Sequence, residues 1–253
     1  MLSFVDLAAS PEFTVSSVDC HDDHRGWSAE QPRADVRLVL VRRGGFRRRV
    51  RGITTDLDPT VGYLGLPGEE EHFAHPAGGD VCTSISLTPH LWRTMAGDTP
   101  RLDGSSLYID ARLDLAHRRL LAHRPALAHD HPRATADDES LVGLVAAAIH
   151  QLVATTTPDT GTAGDRALVG RAREVIGNGG GTTLISLADL LGVSLTRYRN
   201  RVRVARALDR LEAGEPSLAA LAADLGFADQ AHLCRTVREH VGHTPTALRR
   251  LLA

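Results

Sequence analysis

The feature that most constrains the fold is a pair of short helical patterns joined by a glycine turn in segment 217–241. Ser217 precedes the first pattern and has the side chain of a helix N-cap, and Gly226 supplies the left-handed residue that ends a helix. Asp229 is placed to cap the second pattern, whose apolar residues recur at four-residue intervals up to Val241. Two short helices joined by a tight turn form a helix-turn-helix, so the sequence predicts one here.

The second helix carries polar side chains on the face away from its apolar stripe. This outer face comprises Gln230, His232, Arg235 and Arg238. Gln can pair with adenine, and Arg with guanine, through two hydrogen bonds in the major groove. The pattern therefore predicts that this helix reads the edges of DNA bases.

Segment 218–252 resembles the second helix-turn-helix of the AraC/XylS family of transcription regulators. The matching motifs are Leu221-Ala222, Leu225-Gly226-Phe227, Asp229-Gln230-Ala231-His232-Leu233, Arg235-Thr236-Val237-Arg238 and Gly242-His243-Thr244-Pro245. Upstream, segment 198–208 resembles the helix that joins the family's two helix-turn-helix units, and six arginines lie from Arg197 to Arg210. The resemblance implies a sequence-specific DNA-binding regulator of transcription with an all-α C-terminal domain.

The resemblance also implies which side chains contact DNA. Base contacts are implied for the first turns of the recognition helix, at Gln230, Ala231, His232, Cys234 and Arg235. Phosphate contacts, which fix the register without reading sequence, are expected at Arg197, Arg201, Arg206 and Arg238. For His232 and Cys234 the alternative is a partly exposed helix position without a base contact. The arginine-rich segment alone is equally well explained as a solvated amphipathic helix.

The first helix-turn-helix unit departs from the family pattern. Segment 187–194 matches the first helix and turn of that unit, yet segment 195–198 already matches the residues just before the connecting helix. About a dozen residues, the length of a recognition helix, are missing between them. Either that helix has been deleted, or Ser194 caps a fused helix in which Arg197, Asn200 and Arg201 replace it.

The first part of the chain has the pattern of a small β domain. Short β-type runs occupy 13–20, 35–41 and 81–87. The pair Gly44-Gly45 predicts a hairpin between 36–41 and 46–50, and Pro67-Gly68 predicts another turn.

After Pro89 the spacing of apolar residues becomes helical, through Leu107 to Leu121 and again through Leu141 to Leu152. A Thr-rich, Gly-containing stretch then marks a linker. We therefore predict an α+β protein with an effector-binding β domain at 1–105, connecting or dimerisation helices at 106–157, a linker at 158–164 and the DNA-binding domain at 165–253.

The β domain resembles the cupin-type effector domain common in the AraC/XylS family. The similarity rests on the turn at Pro67-Gly68 and on His72 and His75 preceding the run at 81–87. It implies a cupin-like β-barrel that binds a small effector, followed by helices that pair two protomers. Packing of those helices within one chain is the alternative.

Charge and composition favour a regulator that acts in the cytoplasm. Residues 165–253 hold 13 Arg against 9 Asp and Glu, whereas residues 1–164 hold 16 Arg against 22. The first residues lack a secretory signal pattern, and the apolar stretch 141–154 is too short to cross a bilayer. We expect a non-enzymatic DNA-binding homodimer. The alternatives are a cupin-type metal-dependent enzyme with a fused regulatory module and a dimerising relative with weakened DNA binding.

Cysteine and histidine residues on separate β segments suggest a metal site. No cofactor is otherwise expected, but Cys20, His24, His75 and Cys82 offer the ligand types that zinc prefers. No pair has the short Cys-x-x-Cys spacing of a common structural site. Structural roles for these side chains are the alternative.

Overall fold

The computed structural model describes residues 2–21, 25–97, 106–122, 134–154 and 195–252. The chain divides into two compact units. Unit 1 comprises Met1–Ile109 with Val145–Asp159, and unit 2 comprises Asp110–Leu144 with Thr160–Ala253. The predicted linker at 158–164 lies outside the described residues. None of the described helices is both long and apolar enough to span a membrane.

Unit 1 is built mainly from antiparallel strands. Their bounds are β1 Leu2–Ala9, β2 Phe13–Cys20, β3 Gln31–Pro32, β4 Val36–Arg43, β5 Phe46–Val50, β6 Ile53–Leu57, β7 Val61–Gly65, β8 Glu70–Ala74, β9 Asp80–Leu87 and β10 Ser106–Tyr108. The β-type runs expected at 13–20, 35–41 and 81–87 correspond to β2, β4 and β9, so these predictions are confirmed.

The strands form two sheets with an apolar core between them. One sheet has the order β1-β2-β9-β4-β7-β10 and the other the order β3-β8-β5-β6. Val39 and Tyr63 of the first sheet cluster with Phe46 and Leu57 of the second. The α+β class is confirmed, but no ladder among the described strands joins the two sheets, so they do not close the expected barrel.

The expected hairpin at Gly44-Gly45 is wrong. Strand β4 pairs with β9 and β7, whereas β5 pairs with β6 and β8, so these two glycines carry the chain from one sheet to the other. Both edges of β4 are already occupied, which leaves no place for β5. The glycines allow close backbone approach, since a Cβ on Gly45 would lie 2.7 Å from the Leu57 carbonyl oxygen.

The turn expected at Pro67-Gly68 is confirmed. The Glu69 N–H donates to the Leu66 carbonyl oxygen at 3.2 Å, and Gly68 has a φ of 81°. Proline at the second position of a β-turn, followed by a residue of positive φ at the third, is typical of a type II turn.

The helices are α1 Pro89–Ala96, α2 Ala111–Ala122, α3 Ala134–Ala154, α4 Leu195–Glu212, α5 Leu218–Asp224, α6 Gln230–Val241 and α7 Pro245–Leu252. Leu107, which was expected in a helix, instead lies in strand β10 and pairs with Gly62 of β7. Asp110 directly precedes α2 and caps it, since its carboxylate accepts hydrogen bonds from the N–H groups of Arg112 and Leu113.

The core of unit 2 includes a helix that precedes the C-terminal helices by many residues. Ala111 and Leu115 of α2 join one apolar cluster with Leu208 of α4, Leu233 of α6 and Leu248 of α7. Because all of these side chains are buried, α2 is part of the same packed body as the four C-terminal helices.

Candidate nucleic-acid interface

The α5 and α6 helices are set by caps that the local sequence encodes. The Ser217 Oγ accepts a hydrogen bond from the Ala220 N–H at 3.1 Å, and the Asp229 Oδ1 accepts one from the His232 N–H at 2.6 Å. Gly226 between the helices has a φ of 71°, and Gly242 ends α6 in the left-handed conformation. The expected helix-turn-helix at 217–241 is therefore present.

The inner faces of these helices fix the orientation of the recognition helix. Leu221 and Ala222 of α5 and Leu233 and Val237 of α6 are buried in the core of unit 2. Phe227 in the turn is buried against the same cluster. The outer face of α6 is thus held by packing and is available to an external partner.

The structure places the expected base-contact residues at the N-terminal half of α6. Gln230, Ala231 and Arg235 are exposed, whereas His232 and Cys234 are half-buried. The His232 ring lies edge-on to the Phe227 ring at a centroid distance of 5.3 Å, and its Nδ1 accepts a hydrogen bond from the Ala228 N–H at 3.4 Å. His232 therefore also helps to hold the turn.

The phosphate-contact candidates differ in their surroundings. Arg197 on α4 and Arg238 on α6 are exposed, and Arg206 is half-buried. These positions leave the three guanidinium groups with access to solvent. Their contacts with DNA stay a prediction.

Arg201 is not available to a phosphate, which corrects its assignment. It lies on the inward face of α4, its side chain is 2% exposed, and its Nη2 is 3.1 Å from the Asp114 Oδ2 of α2. A buried guanidinium that is paired with a carboxylate cannot reach DNA without breaking that pair. The same burial excludes Arg201 from the substitute reading surface considered for a fused first helix.

Arg203 is a candidate that the sequence interpretation missed. Its guanidinium carbon lies 5.5 Å from the centroid of the Phe227 ring, beside the turn of the helix-turn-helix. Burial and the nearby Arg199 charge lower the pKa of Arg203. The spacing of Arg199 and Arg203, four residues apart on one helix, is the signal that could have identified this pair. Two neighbouring cations favour binding of an anion such as a DNA phosphate.

A second arginine joins α2 to α4 by ion pairs. Arg118 contacts Asp114 at 2.9 Å, Asp209 at 2.6 Å and Glu212 at 2.8 Å. Burial would lower the pKa of Arg118, but the Asp114 and Asp209 carboxylates raise it by a larger amount, so the net pKa is raised. The guanidinium stays charged and links the two helices.

The proposed metal ligands of unit 1 are brought together only in part. Cys20 and His75 lie within a buried cluster whose third member is Asp80, a residue the sequence interpretation did not include. The Cys82 Sγ donates a hydrogen bond to the Asp80 Oδ2 at 2.9 Å. Burial and the Asp80 carboxylate raise the pKa of the Cys82 thiol. His24 lies outside the described residues.

The segment expected to form the first helix-turn-helix unit, 187–194, also lies outside the described residues. Helix α4, which begins at Leu195, has the position expected for the connecting helix. Whether a recognition helix has been deleted stays a prediction.

Comparisons with known proteins bear on both ends of the chain. A family model described as a helix-turn-helix domain matches residues 185–251. A search of curated protein sequences found no match. Among solved structures, ToxT of Vibrio cholerae strain SCE256 with a bound unsaturated fatty acid is 9% identical, with a TM-score of 0.41, and the alignment covers 96% of this chain and 97% of that chain.

Two cupin structures align with a smaller part of the chain. A cupin superfamily protein of Desulfitobacterium hafniense is 17% identical over 35% of this chain and 78% of its own, with a TM-score of 0.31. The cupin domain of Schizosaccharomyces pombe Cnp3 is 14% identical over 38% of this chain and 71% of its own, with a TM-score of 0.32. Likenesses this distant assign no activity.

The capped helix pair and the family match together define a helix-turn-helix domain in segment 217–241. The matched residues 185–251 include the motifs of segment 218–252, so this part of the chain is similar to that helix-turn-helix domain family.

Proposed function

We propose that this protein is a cytoplasmic, sequence-specific regulator of transcription, in which α6 reads DNA and the β domain of unit 1 responds to a small effector. The observation that carries the proposal is the outer face of α6. It exposes Gln230 and Arg235 from a helix whose opposite face is anchored in a core. Side chains on a rigid element are positioned well enough to discriminate base edges.

The basic residues around this face supply the second requirement, which is attraction to the phosphate backbone. Arg238 lies one turn beyond Arg235 on α6, and Arg199, Arg203 and Arg206 lie on α4. Each phosphate neutralised by such a residue releases counterions, so affinity should fall with salt by a log-log slope of about −0.9 per contact.

The effector response and homodimerisation rest on the family resemblance of the sequence. In unit 1, two facing sheets enclose an apolar core in which Phe46, Tyr63 and Phe73 pack together. We assign no catalytic role to this β domain. Its function is to change the DNA-binding state of the dimer when a ligand binds.

The proposal is tested by comparing binding of the full chain to a selected site and to random duplex DNA. Gln230→Ala and Arg235→Ala should each weaken binding to the selected site by roughly 1 to 3 kcal/mol and leave random binding nearly unchanged. Arg250→Ala is the matched control, because Arg250 is also exposed but lies on α7. It removes the same charge without removing a base contact, so it should not alter the ratio of the two affinities.

Fluorescence anisotropy at several salt concentrations measures both affinities. If Gln230→Ala and Arg235→Ala lose the same affinity for both DNA molecules, these side chains contact the DNA backbone rather than the bases. An affinity independent of salt would contradict the proposal as a whole.

A further inference from the structure

Four side chains of ligand type meet where the chain passes from one sheet of unit 1 to the other. Cys20 ends β2 and Asp80 and Cys82 lie in β9, all in the six-stranded sheet. His75 directly follows β8 of the four-stranded sheet. The DNA-binding function does not use this cluster.

Strand register brings three of these residues to one face. Cys20 and Asp80 are direct partners in the antiparallel β2–β9 ladder, and directly opposed residues project to the same face of a sheet. Cys82 follows Asp80 by two residues and therefore shares that face. Gly79 completes the arrangement, because a Cβ there would overlap the Cys20 carbonyl oxygen. The backbone thus holds the His75-to-Asp80 turn tightly against the end of β2.

The ligand atoms are close enough for a single ion. One ligand atom from each of Cys20, His75 and Asp80 lies within 4.8 Å of the others. The His75 Nε2 is 3.0 Å from the Asp80 Oδ1, and the Cys82 Sγ is 2.9 Å from the Asp80 Oδ2. The ligands of a tetrahedral zinc ion are about 3.3 to 3.8 Å apart, given zinc–ligand bonds of about 2.0 to 2.3 Å. To reach that geometry, the side chains would have to rotate so that the His75–Asp80 and Cys82–Asp80 separations widen and the Cys82 Sγ turns toward the Cys20 and His75 ligand atoms.

We propose that Cys20, His75, Asp80 and Cys82 bind one zinc ion that joins the two sheets of unit 1. Sulfur and imidazole ligands favour zinc over magnesium and calcium, which prefer oxygen ligands alone. This set replaces His24 of the sequence-based prediction with Asp80.

Burial makes the site structural rather than catalytic. All four residues are buried, with exposed fractions of 3% for Cys20 and Cys82, 5% for Asp80 and 8% for His75. A closed site with four protein ligands leaves no position for substrate or water. The Phe46 ring stacks on the His75 ring at a centroid distance of 5.6 Å, which fixes the plane of the imidazole.

The surrounding charge suits a zinc ion with these ligands. Two thiolates, one carboxylate and a neutral imidazole around Zn²⁺ give a net charge of −1. The Arg42 guanidinium lies 3.4 Å from the Cys82 carbonyl oxygen and offsets that charge. Binding releases the two thiol protons to solvent, because zinc binds the thiolate form of cysteine.

Cobalt titration of the full chain tests the proposal. Protein prepared with a chelator and a reductant should bind about one equivalent of Co²⁺ and develop a thiolate-to-cobalt charge-transfer band. Zinc should displace the cobalt and abolish the band. Zinc should also raise the temperature at which the Trp27 and Trp92 fluorescence reports unfolding, since both tryptophans lie in unit 1.

Variants identify the ligands. Loss of a residue that only orients a metal ligand typically costs 10- to 100-fold in metal affinity. Replacing a ligand itself, as in Cys20→Ser, His75→Gln and Asp80→Asn, should therefore cost at least about 100-fold. Cys82→Ser should weaken the charge-transfer band because it removes one of two thiolates. Two matched controls should bind cobalt as the wild type does: Cys234→Ser, which lies on α6, and His72→Gln, which lies on β8.

Circular dichroism of each variant without metal shows whether the fold persists, and only folded variants enter the comparison. His75→Gln and Asp80→Asn keep the side-chain volume, so they serve if Cys20→Ser does not fold. The proposal is overturned if the wild type develops no thiolate-to-cobalt band. It is also overturned if folded His75→Gln and Asp80→Asn proteins bind cobalt as tightly as the wild type.

Discussion

The ion pair between α2 and α4 makes a quantitative prediction about the C-terminal unit. The Asp114 carboxylate is 12% exposed and contacts both Arg201, which is 2% exposed, and Arg118. Asp114→Asn would remove a carboxylate that pairs with the buried Arg201 charge. Removing one partner of a buried ion pair costs about 3 to 5 kcal/mol, and we expect the lower end because Arg118 keeps two other carboxylates.

Asp209→Asn is the matched control for this prediction. Asp209 contacts the same Arg118 but its side chain is 60% exposed, so its loss should cost less than about 1 kcal/mol. Urea unfolding followed by far-ultraviolet circular dichroism measures both variants, since α2 and α4 to α7 belong to unit 2. Adding Arg201→Met to Asp114→Asn should restore part of the lost stability, because the double variant also removes the buried charge that has lost this carboxylate. Equal effects of Asp114→Asn and Asp209→Asn would refute this reasoning.

Three further predictions concern unit 1, where tryptophan fluorescence reports unfolding. Arg48→Met should cost about 3 kcal/mol, because the buried Glu69 loses its pairing with Arg48 while Glu71 keeps its pairing with Arg33; unchanged stability would contradict this. Gly45→Ala should cost roughly 1 to 3 kcal/mol through overlap with the Leu57 carbonyl, and an increase in stability would show that the crossover is loose. Burial alone would raise the pKa of Asp35, but hydrogen bonds from Ser86 and Arg37 lower it by a larger amount, so the net pKa is below its ordinary value. The stability that the Asp35 carboxylate contributes is therefore present above its unfolded pKa of about 3.9 and is lost as the pH falls through its folded pKa. Asp35→Asn should lower the free energy of unfolding at neutral pH, and the difference from the wild type should shrink in acid.

The helix-turn-helix could be predicted from the sequence because its determinants are local. Ser217 and Asp229 each bond to an N–H three residues further on, and Gly226 supplies a positive φ at the turn. These features depend on residues that are close in the chain, so the boundaries of α5 and α6 follow from them.

The sequence-based predictions of the β domain were wrong where pairing between residues distant in the chain determines the structure. Gly44-Gly45 has the sequence of a hairpin turn, but the pairing of β4 with β9 and β7 excludes it. The two-residue hairpin lies instead at Arg51-Gly52, where both residues have positive φ. Arg51 is not a residue typical of such turns, so the sequence carried no clear signal there.

The site residues show the same limit. Arg201 has the same side chain as its exposed neighbours on α4, and only the packing of α2 reveals that it is buried. Asp80 joins Cys20 through strand register, which a sequence pattern does not show. Strand β1 was also missed, because Leu2, Phe4 and Val5 are exposed and give no alternation of buried and polar residues.

Selection of binding sites from a pool of random duplex DNA tests the central claim most directly. The full chain should enrich one sequence motif, and Arg235→Ala should enrich a motif that has lost its preference at one base pair while it keeps the others. That result would show that α6 reads bases through the side chain assigned to it. Failure of the wild type to enrich any motif, or an identical motif from Arg235→Ala, would contradict the account.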